Sequence, residues 1–241
     1  MNKVTKKFSL FFLASLSFFA SAGSSPATDT PHFHVGDEFK YPILLVRPTQ
    51  ATVGMRAVRE RVEKLNSMDH DSLKHYLEKH PIPVVIAPSG RFYQIDHHHL
   101  ALAALRAGRE SAFYRVAWDY GSLPTMTAFW AKMTENHLVW AEDEWGKPIP
   151  IPSGLPADVR DLRDDPYRSL SAYVREMGGF EKSKIEFAEF LWADFFRQRI
   201  DLGRSDRDFE IAVRISTELA HSPEAKDLPG WFRQHSADDS R

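Results

Sequence analysis

The chain has 241 residues, of which 43% are hydrophobic and 27% are charged. This balance predicts a packed core and argues against an intrinsically disordered protein. The chain contains no cysteine, which excludes disulfides, thiolate metal sites and cysteine nucleophiles. A net charge of −2 excludes a generally basic nucleic-acid-binding surface but leaves a local basic cleft open.

The first 22 residues have the pattern of a secretory signal peptide. Three lysines precede an apolar run from Phe8 to Phe19, and Ala20-Ser21-Ala22 has the form of a signal peptidase site. The apolar run is too short for a transmembrane span. We therefore expect a mature chain from Gly23, periplasmic or secreted and without a transmembrane segment. Loss of the three lysines changes its net charge from −2 to −5.

The first half of the chain predicts a small mixed α/β domain over residues 41–120, after a linker over 23–40. Turn residues, apolar runs and helical spacing mark its elements. These are a strand at Ile43–Val46, helices at Val53–Leu65 and Asp71–His80, a hairpin of Pro83–Ala87 and Arg91–Ile95, a helix at Asp96–Ala107 and a strand at Ser111–Trp118.

The second half predicts a helical region over residues 121–225 and a flexible tail over 226–241. Asp165-Pro166 is a typical helix start, with aspartate as the N-cap and proline in the first helical position. Helices are predicted at Pro124–Asn136, Pro166–Met177, Ser183–Ile200 and Asp206–His221. The fold class is therefore α+β.

The run Asp96-His97-His98-His99 is the strongest candidate for a functional site. It lies between a predicted strand and the start of a predicted helix, where free backbone N–H groups and the helix dipole favour an anion. Three imidazoles add hydrogen-bond donors, proton-transfer groups or metal ligands.

Two other interpretations of this run stay open. Asp96 could cap the helix, with the imidazoles as satisfied polar groups. A divalent metal such as Mg²⁺ or Mn²⁺ could also bind, although adjacent helical residues point about 100° apart, so at most two of these histidines could reach one ion.

Further polar residues could complete the site. Arg47, Thr49 and Gln50 follow the first predicted strand, where an arginine could clamp a phosphate. A capped helix start with local charge pairing is one interpretation of Asp164, Asp165 and Arg168. The other is that the Arg168 side chain reaches the cleft. Glu186 and Glu189 could share a helical face and bind a cation, or form a solvated surface. His32 and His34 are weaker candidates within the linker.

The segment from Ile43 to Asp119 resembles the ParB/sulfiredoxin fold. In that fold a strand leads to a polar turn, here Arg47-Pro48-Thr49-Gln50, and a later helix N-terminus carries a phosphate-binding motif, here Asp96 to His99. Free serine kinases of this fold carry Asp-Gly-His-His-Arg at that motif. Asp96, His98 and His99 match it, whereas His97 replaces the glycine and Leu100 the arginine.

Most of residues 40–200 resemble one branch of that fold, the ParB-like nucleases. The runs Asp164-Asp165-Pro166-Tyr167-Arg168-Ser169-Leu170 and Glu189-Phe190-Leu191-Trp192-Ala193-Asp194 are similar to the signature of that branch. The resemblance implies phosphodiester chemistry on a nucleic acid or nucleotide. The chain lacks the cysteine of sulfiredoxins, and the predicted export contradicts the role of a chromosome-partitioning ParB.

These observations predict an exported nuclease or phosphodiesterase. The sequence assigns proton transfer to the histidines of Asp96–His99, and phosphate binding to Arg47, Thr49, Gln50 and Arg168. The alternatives are a non-catalytic module that binds a nucleotide, another anion or a partner protein, and a phosphotransferase related to the free serine kinases.

Overall fold

A five-stranded mixed sheet lies at the centre of the first half, in the order β1-β6-β4-β5-β2. The computed structural model describes residues 32–203 and 205–232, so the predicted signal peptide and residues 23–31 of the predicted linker lie outside the described residues. The strands are β1 (Glu38–Pro42), β2 (Arg47–Pro48), β3 (Thr52–Val53), β4 (Ile82–Ile86), β5 (Phe92–Gln94), β6 (Ser111–Asp119) and β7 (Arg163–Asp164).

Seven α-helices occur within the described residues. They are α1 (Met55–Asn66), α2 (His70–Lys79), α3 (His98–Arg106), α4 (Met126–Glu135), α5 (Pro166–Glu176), α6 (Ala188–Arg197) and α7 (Asp206–Ala220). The α+β class and the helical C-terminal region are thereby confirmed. None of the described helices is long and apolar enough to cross a membrane.

Each face of the sheet packs against helices because its strand residues alternate between two cores. Val84 and Phe92 belong to the core shared with α1, α2 and α3. Their neighbours Val85 and Tyr93 face the opposite way and pack against α4. This period of two is the expected geometry of a strand buried on both faces.

A separate core joins the C-terminal helices. Trp192 of α6 is fully buried there, stacks on Phe180 with ring centroids 4.2 Å apart, and donates to the Pro229 carbonyl at 2.8 Å. Leu228 and Trp231 pack against the same core. Residues 226–232, which the sequence assigned to a tail, are therefore part of the packed structure.

A short parallel pair links the two halves of the fold. β3 pairs with β7, and the Asp164 carboxylate accepts the backbone N–H of Met55 at 2.8 Å. Asp164 therefore accepts a hydrogen bond from the first turn of α1, 109 residues away in sequence. This contact replaces the local charge pairing that the sequence predicted for Asp164.

The predicted strand at Ile43–Val46 is wrong. Ile43–Leu45 forms one turn of 3₁₀-helix, in which the Val46 N–H bonds to the Ile43 carbonyl at 3.3 Å. Ile43 and Val46 are buried whereas Leu44 and Leu45 are exposed. A buried spacing of three residues fits a 3₁₀ turn, and the strand of this region is instead β1, which pairs with β6.

The predicted helix at Ser183–Ile200 begins too early. Phe187 has φ +57°, in the left-handed region, and α6 starts only at Ala188. A left-handed residue cannot continue a right-handed helix. Glu186 therefore lies before α6 and does not share a helical face with Glu189. Residues 182–187 instead run along the cavity described below.

Candidate functional site

The Asp96–His99 run forms the turn between β5 and α3. His97 is the N-cap of α3 and has φ +59°, in the left-handed region. The Gln94 side chain donates to the Asp96 carbonyl at 2.9 Å, and the Asp96 carboxylate accepts the His97 N–H at 2.6 Å. Asp96 thus stabilises the turn, but the prediction that it caps the helix is wrong, because α3 has no side-chain cap.

His98 is held inside the protein in its neutral form. Only 2% of the residue is exposed, and its Nε2 accepts the backbone N–H of Thr49 at 3.2 Å. A ring nitrogen that accepts an N–H carries no proton. Burial lowers the pKa of His98 to about 3, opposed by the charge of Asp96 and a hydrogen bond with the Gln94 backbone. His98 therefore fixes the Thr49 turn against α3.

His99 makes an equivalent contact with a second helix. Its Nε2 accepts the backbone N–H of Gly54, the N-cap of α1, at 3.0 Å. Desolvation and the positive charge of Arg168 lower the pKa of His99 well below the usual histidine value. His99 is therefore also neutral at pH 7, with Nε2 occupied by a backbone group.

His97 differs from its two neighbours. Its side chain is 39% exposed, and its Nε2 lies 3.9 Å from the Asp96 carboxylate. Among the described residues, its buried Nδ1 has no hydrogen-bond partner. Desolvation lowers the pKa of His97, and Asp96 opposes this effect. Of the three imidazoles in the run, His97 is the one best placed to exchange a proton with a ligand.

The run opens onto a cavity of about 570 Å³. This volume is within the range of small-molecule sites. Five permanently basic side chains line the cavity, against three carboxylates. The basic residues are Arg61, Arg168, Arg175, Lys182 and Lys184, and the acidic residues are Asp96, Glu186 and Glu189. The cavity therefore favours an anionic ligand.

Arg168 lies at the inner wall of the cavity. Its side chain is 13% exposed, and one terminal nitrogen lies 3.8 Å from the Glu189 carboxylate. Its buried Nε has no partner among the residues the structure describes. Arg175 forms an ion pair with the same carboxylate. Two guanidinium groups thus share one carboxylate, and an incoming phosphate could bind where Glu189 now neutralises them.

Two helix N-termini end at this cavity. The N-cap residues of α3 and α6, His97 and Phe187, both line it. Both have left-handed backbone angles, and neither provides a side-chain cap. Uncapped first turns leave backbone N–H groups free, and the positive dipole ends add to the attraction for an anion.

The structure brings only some of the predicted phosphate-binding residues to the cavity. Arg168 and the buried Gln50 line it. Thr49 is fully buried, and its hydroxyl donates to the Gln94 carbonyl at 2.9 Å. Arg47 lies on β2, paired with Tyr93, and is not among the lining residues. The assignment of roles to these residues stays a prediction.

Sequence reasoning missed several lining residues, namely His80, Arg61, Arg175, Lys182 and Lys184. They lie on α1, α2, α5 and the segment before α6, and no local pattern connects them.

The described residues contain no group of three or more histidine, aspartate or glutamate side chains arranged to hold a metal ion.

Comparison with known proteins places the chain in a family. Residues 39–198 match the family described as "Putative ParB-like nuclease". The chain belongs to this family. The ParB-like protein is 35% identical to protein Atu1540 from Agrobacterium tumefaciens, whose crystal structure matches with a TM-score of 0.73, covering 83% of this chain and 100% of that chain.

A second solved structure shows a much weaker likeness. It is C-terminally truncated ParB from Caulobacter crescentus complexed with CTP-γ-S, with 13% identity, a TM-score of 0.28, and coverage of 78% of this chain and 94% of that chain. A TM-score this low supports no conclusion about this ParB-like protein. A comparison with curated proteins found no significant match.

Proposed function

We propose that this ParB-like protein hydrolyses phosphodiesters of nucleic acids or nucleotides in the cavity at the start of α3. The observation that carries the proposal is the excess of basic groups there, five against three carboxylates, together with the two uncapped helix N-termini. A phosphodiester is an anion whose negative charge increases during hydrolysis, so such a cavity stabilises the transition state.

The cavity-lining residues have two roles in this proposal, which are phosphate binding and proton transfer. Arg168 and Arg61 hold the phosphate oxygens, and the buried Nε of Arg168 has no hydrogen-bond partner among the described residues. His97 accepts a proton from the attacking water, because its lowered pKa keeps it neutral at pH 7. His98 and His99 position the turn and take no part in proton transfer.

A non-catalytic anion-binding module is the second candidate. The observation in its favour is that two of the three histidines use Nε2 to accept backbone N–H groups, which leaves one imidazole of the run for chemistry. A binding module and a hydrolase would share Arg61 and Arg168 but differ in their need for His97.

The first test separates binding from turnover. Wild type and His97→Asn are incubated with single-stranded DNA, RNA and a nucleotide p-nitrophenyl ester, each with Mg²⁺, Mn²⁺ or EDTA. We expect His97→Asn to reduce kcat about 10²–10⁴-fold while the Kd for a non-hydrolysable analogue changes little. A wild type that binds the analogue without cleaving any substrate would support the binding module instead.

A matched arginine pair tests the binding site. Arg61→Ala removes a cavity-lining cation from α1, whereas Arg59→Ala removes an exposed cation from the same helix. We expect Arg61→Ala to weaken analogue binding about 10-fold or more, as for the loss of a charged hydrogen-bond donor. Equal effects of the two variants on Kd would argue against this cavity as the site.

We further propose that the protein acts after export. The pattern of residues 1–22 supports this proposal. The measurement is N-terminal sequencing of the protein recovered from the periplasm and medium, where we expect a start at Gly23.

A further inference from the structure

A fourth histidine lines the same cavity, outside the run that the sequence singled out. His80 is the C-cap of α2 and is one of the cavity-lining residues. Its Nδ1 lies 2.7 Å from the Tyr76 carbonyl oxygen. A carbonyl oxygen can only accept, so Nδ1 carries the proton and Nε2 remains for proton exchange.

The neighbours of His80 fix its ring. The imidazole stacks on the Tyr76 ring with centroids 4.2 Å apart. The Lys64 ammonium lies 4.8 Å from the centroid of the same Tyr76 ring. A ring held by one hydrogen bond and one stacked face has a defined orientation, as a proton-transfer group requires.

His80 and His97 both line the cavity and are electrostatic neighbours. The charge of His80 contributes to lowering the pKa of His97, together with the charges of Arg61 and Arg115, while Asp96 acts in the opposite direction. These residues come from α1, α2, β6 and the turn before α3, which are the elements that present charged groups to His97. Two imidazoles of different surroundings therefore meet at one anion-binding cavity.

We propose that His80 is a second catalytic residue of the hydrolase, acting as the general acid toward the leaving oxygen. This inference rests on the proposed function, with His97 as the general base. Desolvation favours the neutral form of His97, which suits a base, whereas the exposed His80 has Nε2 available to a leaving group.

The reaction balances without another reactant. His97 takes one proton from water, and the water oxygen forms a bond to phosphorus. The bond between phosphorus and the leaving oxygen breaks, and the electron pair stays with that oxygen. His80 gives its Nε2 proton to the leaving oxygen, which departs as an alcohol. The proton on His97 then returns to His80 through solvent.

The test uses two substrates that differ only in the leaving group. A nucleotide p-nitrophenyl ester releases a stable phenolate, which needs no protonation, whereas the corresponding dinucleotide releases an alcohol, which does. Wild type, His80→Gln and His97→Asn are compared with the control His75→Gln, an exposed histidine on the same helix. All are purified after expression of the full chain.

We expect His80→Gln to reduce kcat/KM for the dinucleotide about 10²–10⁴-fold and to reduce it for the p-nitrophenyl ester less than about 10-fold. It should also remove the limb of the pH profile that falls with rising pH. His97→Asn should lower kcat/KM for both substrates, and His75→Gln should lower it for neither. His80 is also the C-cap of α2. If its role were merely structural, His80→Gln would reduce kcat/KM equally for both substrates and leave the shape of the pH profile unchanged.

The outcomes separate the two proposals. Equal effects of His80→Gln on both substrates, or none, would overturn the role of His80 while His97-dependent hydrolysis stands. A wild type that hydrolyses neither substrate would overturn the proposed function and this inference together.

Discussion

His98 is a histidine that the folded protein keeps unprotonated. Its pKa is lowered to about 3 by burial, whereas an exposed histidine in the unfolded chain titrates near pH 6.5. Between these two pH values the unfolded chain binds a proton that the folded chain does not, so acid favours unfolding. His99 acts in the same direction.

We therefore expect the free energy of unfolding to fall as the pH decreases from 7 to 4. The slope approaches about 1.4 kcal/mol per pH unit for each such histidine. His98→Asn should show a shallower slope, because it removes one titrating group, while His75→Asn serves as an exposed control. Urea titrations at several pH values measure this, and equal slopes for wild type and His98→Asn would contradict it.

The sequence predicted that the Asp96–His99 run lies at the start of a helix and beside a cleft, but it did not predict what each histidine contacts. The Asp96–His99 run is visible because its members are consecutive. That His98 and His99 accept N–H groups from Thr49 and Gly54 depends on contacts across 49 and 45 residues. No local pattern encodes those distances, so the sequence could not single out His97.

A buried ion pair joins α5 and α6. Asp165 caps α5 by accepting the N–H groups of Tyr167 and Arg168. The same carboxylate lies 2.9 Å from Arg197 of α6, and their side chains are 1% and 17% exposed. Asp165 therefore stabilises one helix and binds the next.

Removal of Arg197 should be costly because it leaves the Asp165 carboxylate buried without its cation. We expect Arg197→Leu to lower the free energy of unfolding by about 3–5 kcal/mol. The control is Arg199→Leu in the turn that follows α6, whose pair with Glu224 is more exposed, so its loss should cost at most about 1 kcal/mol. Similar losses for the two variants in urea unfolding would contradict this expectation.

Elements with strong local signals were predicted well. Asp165-Pro166 marks the start of α5 correctly, and the predicted hairpin is confirmed as β4 and β5, which pair antiparallel. The misses are short or depend on distant partners. β3 and β7 have two residues each, and a two-residue strand exists only because another segment lies beside it.

The cavity lies between the two halves of the fold. α3 and the turn before it come from the sheet-containing half, while α5, α6 and the segment over 182–187 come from the helical half. The helical region therefore forms part of the cavity wall. This combination could not be inferred from the sequence, since the order of elements does not fix how the halves pack.

Loss of packing in the C-terminal core should consequently destabilise the protein. Trp231 packs against that core and donates to the Ser222 carbonyl at 3.0 Å. We expect Trp231→Ala to lower the free energy of unfolding by about 3 kcal/mol. Trp145→Ala, at a tryptophan that is 63% exposed, should change it by less than about 0.5 kcal/mol. Thermal and urea unfolding would measure both, and comparable losses would argue against this packing.

The left-handed backbone of His97 lowers the stability of the fold, whereas its imidazole is needed for the proposed proton transfer. A non-glycine residue with φ +59° costs of order 1 kcal/mol relative to glycine, which adopts this conformation freely. A design procedure that optimised stability alone would choose glycine at position 97. It would thereby delete the imidazole that lines the cavity and that we propose as the general base. Thermostabilisation of this protein should therefore leave position 97 unchanged.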